Sequence, residues 1–404
     1  MKSFEVPATY RSPLITAIKR KRKEQDKMKK DFSPTLLDFG TVRIWLARHF
    51  GFCYGVENAI EIAFRTVAAH PDKRIYLLSE MIHNPQVNAD LQTLGIQFLQ
   101  DTQGKQLIPF ETLRAEDIVL IPAFGTTLSI AAQLRKIGIQ TEHYNTTCPF
   151  VEKVWNRSEA ISGKKYTVII HGKPGHEETR ATFSHASANG PALVIRDMEE
   201  ARVLARFISE ELPESLFFET FSGQYSEGFH PAKDLQRIGV VNQTTMLASD
   251  TQAIADFLKK IVIEKYQQDD RVADTRDTLC YATLDNQTAV SGLLQTPADL
   301  AIVVGGYNSS NTSHLVELCE EKLPTYFISG AEKIISHKEI LHFDLHSQIE
   351  RTTVPFLPDK NPLDILITSG ASCPDAMVER VMERLLTLTK APVSAASITD
   401  QFAL

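Results

Sequence analysis

Tyr166-Thr167-Val168-Ile169-Ile170-His171-Gly172-Lys173-Pro174-Gly175-His176-Glu177-Glu178-Thr179 is the stretch that decides the fold. A short apolar run rich in β-branched residues meets a loop punctuated by Gly172, Pro174 and Gly175, and two acids then open a helical pattern. An apolar run bounded by turn signals reads as a buried strand, and acids in a first helical turn complement the helix dipole. The same unit recurs on either side. Arg74-Ile75-Tyr76-Leu77-Leu78 leads into Glu80-Met81-Ile82-His83-Asn84-Pro85, and Asp117-Ile118-Val119-Leu120-Ile121 into Pro122-Ala123-Phe124-Gly125-Thr126-Thr127. Further along, Ile238-Gly239-Val240-Val241 leads into Asn242-Gln243-Thr244-Thr245. Leu300-Ala301-Ile302-Val303-Val304 leads into Gly305-Gly306-Tyr307-Asn308-Ser309-Ser310-Asn311-Thr312. Asp364-Ile365-Leu366-Ile367-Thr368 leads into Ser369-Gly370-Ala371-Ser372-Cys373-Pro374-Asp375.

Strands of this kind alternating with helices predict an α/β fold of mostly parallel sheets covered by helices. The helix after Cys53 shows the other half of the unit, with Val56, Ile60, Ala63, Phe64 and Val67 on one face. Ligands of such sheets collect beyond the carboxyl ends of the strands, where the loops quoted above lie.

Three cysteines sit where a loop gives way to a helix: Cys53 in Gly51-Phe52-Cys53-Tyr54-Gly55-Val56, Cys148 in Thr147-Cys148-Pro149-Phe150-Val151, and Cys280 in Leu279-Cys280-Tyr281-Ala282-Thr283. A helix N-terminus favours the thiolate. Three equivalent thiolates point to one shared electrophile, an iron–sulfur cluster with one iron left without a protein ligand. The alternative is three ordinary buried cysteines, a common fate for this residue. Cys319 lies within a helical pattern and reads as packing. Cys373 neighbours Ser372 in a loop and is not counted as a ligand.

Two strand–loop–helix units accompany each of the three cysteines, which implies three comparable small α/β domains around one central site. The expected division is a basic arm at 1–40, domains at 54–147 and 148–275, a third at 276–390 together with 41–53, and a tail at 391–404. The stretches 213–234 and 336–361 read as surface excursions, because turn residues and charges break their periodicity.

The chain has 404 residues, 43% of them hydrophobic and 23% charged, with a formal net charge of -7. That length suits two or three domains, and the acidic balance argues against nucleic-acid binding. No apolar run is long enough to span a bilayer and no apolar signal core stands at the amino terminus, which predicts a cytoplasmic protein without membrane contact. Five cysteines without disulfide-like spacing fit a reducing compartment. The run Lys19-Arg20-Lys21-Arg22-Lys23, continued by Lys27, Lys29 and Lys30, reads as a solvated helix or arm. Nearby acids (Glu5, Glu24, Asp26, Asp31 and Asp38) argue against a transit peptide. A contact with a partner subunit or an acidic electron donor is the other reading of that run.

Asn308-Ser309-Ser310-Asn311 and Ser369-Gly370-Ala371-Ser372 both lie where a strand passes into a helix N-terminus. Their backbone N–H groups, hydroxyls and amides suit a diphosphate, or else they cap the helix. His83 and His176 can donate to the same anion. Glu178 can relay a proton from an enclosed site, whereas its neighbour Glu177 reads as a first-turn acid facing solvent.

Taken in order, these segments resemble the 4-hydroxy-3-methylbut-2-enyl diphosphate reductase family of the methylerythritol phosphate route to isoprenoids. The matches are the three cysteine motifs, Ile82-His83-Asn84-Pro85, Gly175-His176-Glu177-Glu178-Thr179, Asn242-Gln243-Thr244-Thr245, Asn308-Ser309-Ser310-Asn311-Thr312 and Ser369-Gly370-Ala371-Ser372-Cys373-Pro374-Asp375. The resemblance implies a pseudo-threefold trefoil of α/β domains around one [4Fe–4S] cluster per chain. It implies Cys53, Cys148 and Cys280 as cluster ligands. It implies His83, His176, Thr244, Ser309, Ser310, Asn311 and Ser372 as groups that hold the substrate, and Glu178 as the catalytic acid. Phe124 stands where many members carry a diphosphate-binding histidine, and the long amino-terminal segment looks closer to the plant and cyanobacterial branch.

No Gly-x-Gly-x-x-Gly follows a strand, so neither flavin nor nicotinamide is expected. The electrons for the implied dehydroxylation would come from a ferredoxin or flavodoxin. The oligomeric state stays open between monomer and homodimer. Two rival readings use the same residues: a cluster-free α/β enzyme of phosphorylated substrates, and a zinc-binding interaction protein. The second lacks the usual Cys-x-x-Cys spacing.

Overall fold

Strand Leu363–Ser369 is buried at all seven positions and Leu300–Val304 at all five. Such runs have apolar neighbours on both faces, as a parallel strand under two helical layers requires. In the computed structural model, which describes residues 4–274, 278 and 280–402, these two strands pair in parallel at the centre of a seven-stranded sheet. Val42–Leu46 and Thr325–Ile328 extend the parallel part to either side. Thr35–Asp38 closes one edge, and the antiparallel pair Ile340–Asp344 and Ile349–Thr353 closes the other. The outermost strand is exposed and carries Glu350 and Arg351, which discourages further edge pairing.

This sheet belongs to the first of two compact units, formed by residues 1–57, 83–86 and 281–404. Its register aligns Ser369 with Val304 and Ile367 with Leu46, so the loops after three parallel strands leave from one edge. The basic run lies on helix Pro13–Gln25, where Arg20 and Lys23 are exposed, while Lys19 pairs with Asp375 at 2.7 Å and Arg22 with Asp31 at 2.9 Å. Ser12 caps that helix by accepting from the Ile15 N–H at 2.9 Å, and Leu14, Ile15 and Ile18 are built into the core with Ile44, Ile365 and Val378. Helix Ala395–Phe402 packs against it and buries Ile398 in the same core.

The second unit, 58–82 with 87–280, holds two three-stranded parallel sheets. In one, Ile75–Leu77 lies between Gln97–Phe98 and Ile118–Leu120. In the other, Thr167–His171 lies between Ala192–Ile195 and Ile238–Asn242. Each places its first strand in the middle, so the two sheets share one topology. The α/β class with mostly parallel sheets is as expected from the sequence.

Two local expectations need correction. The stretch 213–234 is not a surface excursion: Phe217 and Phe221 are fully buried, and Phe217 stacks on Phe229 at 5.2 Å between centroids. Aromatic residues on short helical turns have no strand or long-helix period, so periodicity misses them. The stretch 336–361 contains the antiparallel pair at the edge of the large sheet, and buried Ile340 and Phe356 anchor it to the core. The boundary expected near Arg276 falls outside the described residues.

Candidate functional site

In the second unit the loop after Thr167–His171 turns at Gly172, and His176 then caps helix Glu177–Ser187. The cap is made by His176 Nδ1, which accepts from the Glu178 N–H at 3.1 Å. With Nδ1 accepting, the neutral ring carries its proton on Nε2 and can donate from there. Phe124, at the position where the resemblance would place a histidine, meets the His176 ring edge to face at 5.5 Å and packs against it.

Glu178 is 1% exposed. Its carboxylate accepts from the Thr244 N–H at 2.5 Å and the Thr244 hydroxyl at 3.0 Å. The two loops meet because their strands are neighbours, with His171 opposite Asn242. Gln243 links them: its Oε1 accepts from the Thr179 hydroxyl at 3.0 Å and the Lys173 N–H at 3.1 Å. Glu177 is also buried, and the Ser79 hydroxyl donates to its carboxylate. The expectation that Glu177 faces solvent is wrong, because this helix packs into the unit along its first turn.

In the first unit His83, Ser309, Ser310, Asn311 and Ser372 are all buried. The Ser372 hydroxyl donates to the His83 carbonyl at 3.1 Å and lies 3.5 Å from Ser309 Oγ. Ser309 caps helix Ser310–Glu320 by accepting from the Thr312 N–H and its hydroxyl. Asn311 Oδ1 accepts from the Ala371 N–H at 2.8 Å, while the buried Asn311 Nδ2 has no hydrogen-bond partner. A buried donor without a partner is costly, so a site built around one awaits an acceptor. His314, one turn further on, has its Nδ1 2.7 Å from Glu317 and a buried, unpartnered Nε2. The sequence reading missed His314, Gln243 and Thr179; only the i, i+3 spacing from Asn311 hints at the first.

Each cysteine opens a helix as expected. Cys148 is the N-cap of Pro149–Gly163, makes no side-chain cap, and is held by its N–H to the Ala123 carbonyl at 2.9 Å. Cys53 precedes helix Tyr54–Ala69, and its N–H donates to the Ala371 carbonyl at 3.2 Å. Cys280 precedes Tyr281–Leu293. Cys53 belongs to the first unit, Cys148 and Cys280 to the second. None of the five cysteines is in a disulfide. Burial pushes the thiols of Cys319 and Cys373 up to about 12, so neither is a thiolate at neutral pH. Among the described residues no group of three His, Cys, Asp or Glu side chains lies close enough to hold a metal ion. The chemistry of the helix-opening thiols suits iron: sulfur placed where the helix dipole favours the thiolate, the form that ligates it. No helix among the described residues is long and apolar enough to cross a membrane.

Residues 44–386 match the family model described as LytB protein. The chain is 41% identical over 362 residues to the 4-hydroxy-3-methylbut-2-enyl diphosphate reductase of Synechococcus sp. (strain RCC307), covering 89% of this chain and 87% of the relative. It is 40% identical over 353 residues to the protein of the same name from Thermosynechococcus vestitus, covering 86% and 85%. Among solved structures it resembles the E-1-hydroxy-2-methyl-but-2-enyl-4-diphosphate reductase from Plasmodium falciparum, with a TM-score of 0.63, 21% identity, and 86% and 88% of the two chains covered. That likeness concerns the fold. A second structure, of (E)-4-hydroxy-3-methyl-but-2-enyl diphosphate reductase, matches with a TM-score of 0.51 at 26% identity over 85% and 99%.

Proposed function

The chain belongs to the LytB family, and on that premise we propose that it reduces (E)-4-hydroxy-3-methylbut-2-enyl diphosphate to isopentenyl and dimethylallyl diphosphate. Two electrons and two protons enter, the allylic C–O bond breaks, and water leaves. The observation that carries this reading is Glu178, a carboxylate 1% exposed and fixed by two donors of Thr244 in a strand-end loop.

Glu178 is the group placed to relay the proton to the departing hydroxyl. Enclosure keeps bulk water from competing for it, and the Thr244 bonds aim the carboxyl group. His176 donates from Nε2 to the substrate. His83, Ser309, Ser310, Asn311 and Ser372 supply the polar cradle for the diphosphate, with Asn311 Nδ2 the donor that gains a partner. Cys53, Cys148 and Cys280 would hold one [4Fe–4S] cluster, which supplies electrons and Lewis acidity for breaking the C–O bond. The electrons would reach it from a ferredoxin or flavodoxin. The proposal extends to the domain level: three α/β parts at 54–147, 148–275 and 276–390 with 41–53, arranged as a trefoil, and a cytoplasmic location.

Glu178→Gln tests the reading. An amide fills the loop but has no acidic proton, so kcat should fall by about 10²–10⁴-fold, the usual worth of general acid–base catalysis. Iron content and substrate affinity should stay near those of the parent. An unchanged kcat removes Glu178 from the chemistry.

A further inference from the structure

Beside Cys53, a proposed cluster ligand, the first unit holds a cavity of about 280 Å³ lined also by Lys19, Lys23, Lys29 and Arg48, cations to which the reaction above gives no role. Two carboxylates, Glu57 and Asp285, also line it, so four cations face two acids. Lys19 is engaged by Asp375 at 2.7 Å, and Lys29 lies 3.9 Å from Asp285. Lys23 is exposed. Arg48 is 7% exposed, and its Nε makes no hydrogen bond; its Nη2 reaches only the Arg22 carbonyl at 3.4 Å. His49 Nε2, beside it, is likewise buried without a hydrogen-bond partner. A buried guanidinium with spare donors calls for an anionic group from outside.

The positive field does not stop at the cavity. Arg20, Lys27 and Lys30 continue it along the exposed side and exit of helix Pro13–Gln25, against a chain whose net charge is -7. Tyr281 and Leu284 stand exposed on the same unit, and Tyr281 lines the cavity under Lys29. Cations spread over a helix beside exposed apolar groups exceed what a small anion needs. They present a field that an acidic protein surface complements, which sets partner choice and encounter rate. Cys53, a proposed cluster ligand, lines this cavity.

We infer that this cavity and the basic helix beside it are the docking surface for an acidic one-electron carrier protein. The inference rests on the reductase reading and names the partner of that site. Per turnover two reduced carriers are oxidised, each giving one electron. The C–O bond breaks, the hydroxyl oxygen leaves as water with one proton, and the second proton goes to carbon. The carrier's carboxylates meet the exposed Lys23, Lys27 and Lys30, with the buried Arg48 adding to the field behind them, and opposite charge on the two proteins steers their encounter.

The test compares two electron sources on the full-length holoprotein and on a triple variant, Lys23→Gln, Lys27→Gln, Lys30→Gln. Reduced methyl viologen needs no docking surface; an acidic [2Fe–2S] ferredoxin does. The viologen-driven rate should be the same in both proteins. With ferredoxin at low salt, the variant's kcat/KM for the carrier should fall roughly tenfold, and its dependence on ionic strength should flatten. Equal ferredoxin kinetics and equal salt dependence, with normal viologen turnover, overturn the docking surface and leave the reductase reading intact. No viologen-driven turnover in the parent protein overturns the reductase reading itself, and the carrier site with it.

Discussion

Glu177 and Glu178 are adjacent in the chain and both buried, yet they face different neighbours: Ser79 holds the first and Thr244 the second. Glu177→Gln should therefore weaken packing at that helix start and leave untouched the proton step proposed for Glu178. A lowered unfolding midpoint with kcat near normal is the expected pair of measurements. The cysteines divide in the same way. Alanine at Cys319 or Cys373 should leave iron content unchanged, since burial keeps both thiols protonated. Serine at Cys53, Cys148 or Cys280 should lose most of the iron, by chemical analysis under anaerobic conditions. At Asn311 the amide does two jobs, holding the Ala371 N–H and offering a second donor. Asn311→Ala should cost roughly tenfold to a hundredfold in kcat/KM, the worth of one charge-assisted bond of about 1.5–3 kcal/mol.

At the level of elements, one device recurs in both units. Gly172 and Gly305 each follow a buried strand, and a threonine seven residues on (Thr179, Thr312) packs its hydroxyl against the glycine. A Cβ at Gly305 would lie 2.8 Å from Thr312 Oγ1, and one at Gly172 would lie 2.7 Å from Thr179 Oγ1. The loop and the helix start are thus held against the strand end. Gly305→Ala should destabilise the protein by about 1–3 kcal/mol, as overpacking does, read from denaturant unfolding. The turn into Cys53 has a different sensitivity. Burial pushes His49 down to about 4, from an ordinary 6.5. Below pH 6.5 the unfolded chain takes up a proton that the folded one refuses, so stability should fall as pH drops from about 6.5 toward 4 and level off below. His49→Gln should flatten that part of the stability–pH curve.

For the whole molecule, each unit has its own apolar core, one around Ile44, Val303 and Ile365 and another around Leu193, Phe217 and Leu258. Stripping iron by chelation should abolish turnover and leave far-UV circular dichroism nearly unchanged, because neither core depends on a metal. The strands at 300–304 and 364–368 and the three helix-opening cysteines are written locally, in continuous β-branched runs and in turn chemistry. The amino acids alone therefore determined the α/β class, the parallel sheets and the identity of the polar loops. Three things needed the tertiary structure. Glu177 is buried because of what packs across its helix, which no neighbour in sequence encodes. The stretch 213–234 joins a core through isolated aromatic residues with no period. The pairing of Gln243 with Thr179 exists only because strands 167–171 and 238–242 lie side by side. Local propensity is read from adjacent residues, whereas burial and the meeting of distant loops are set by long-range packing.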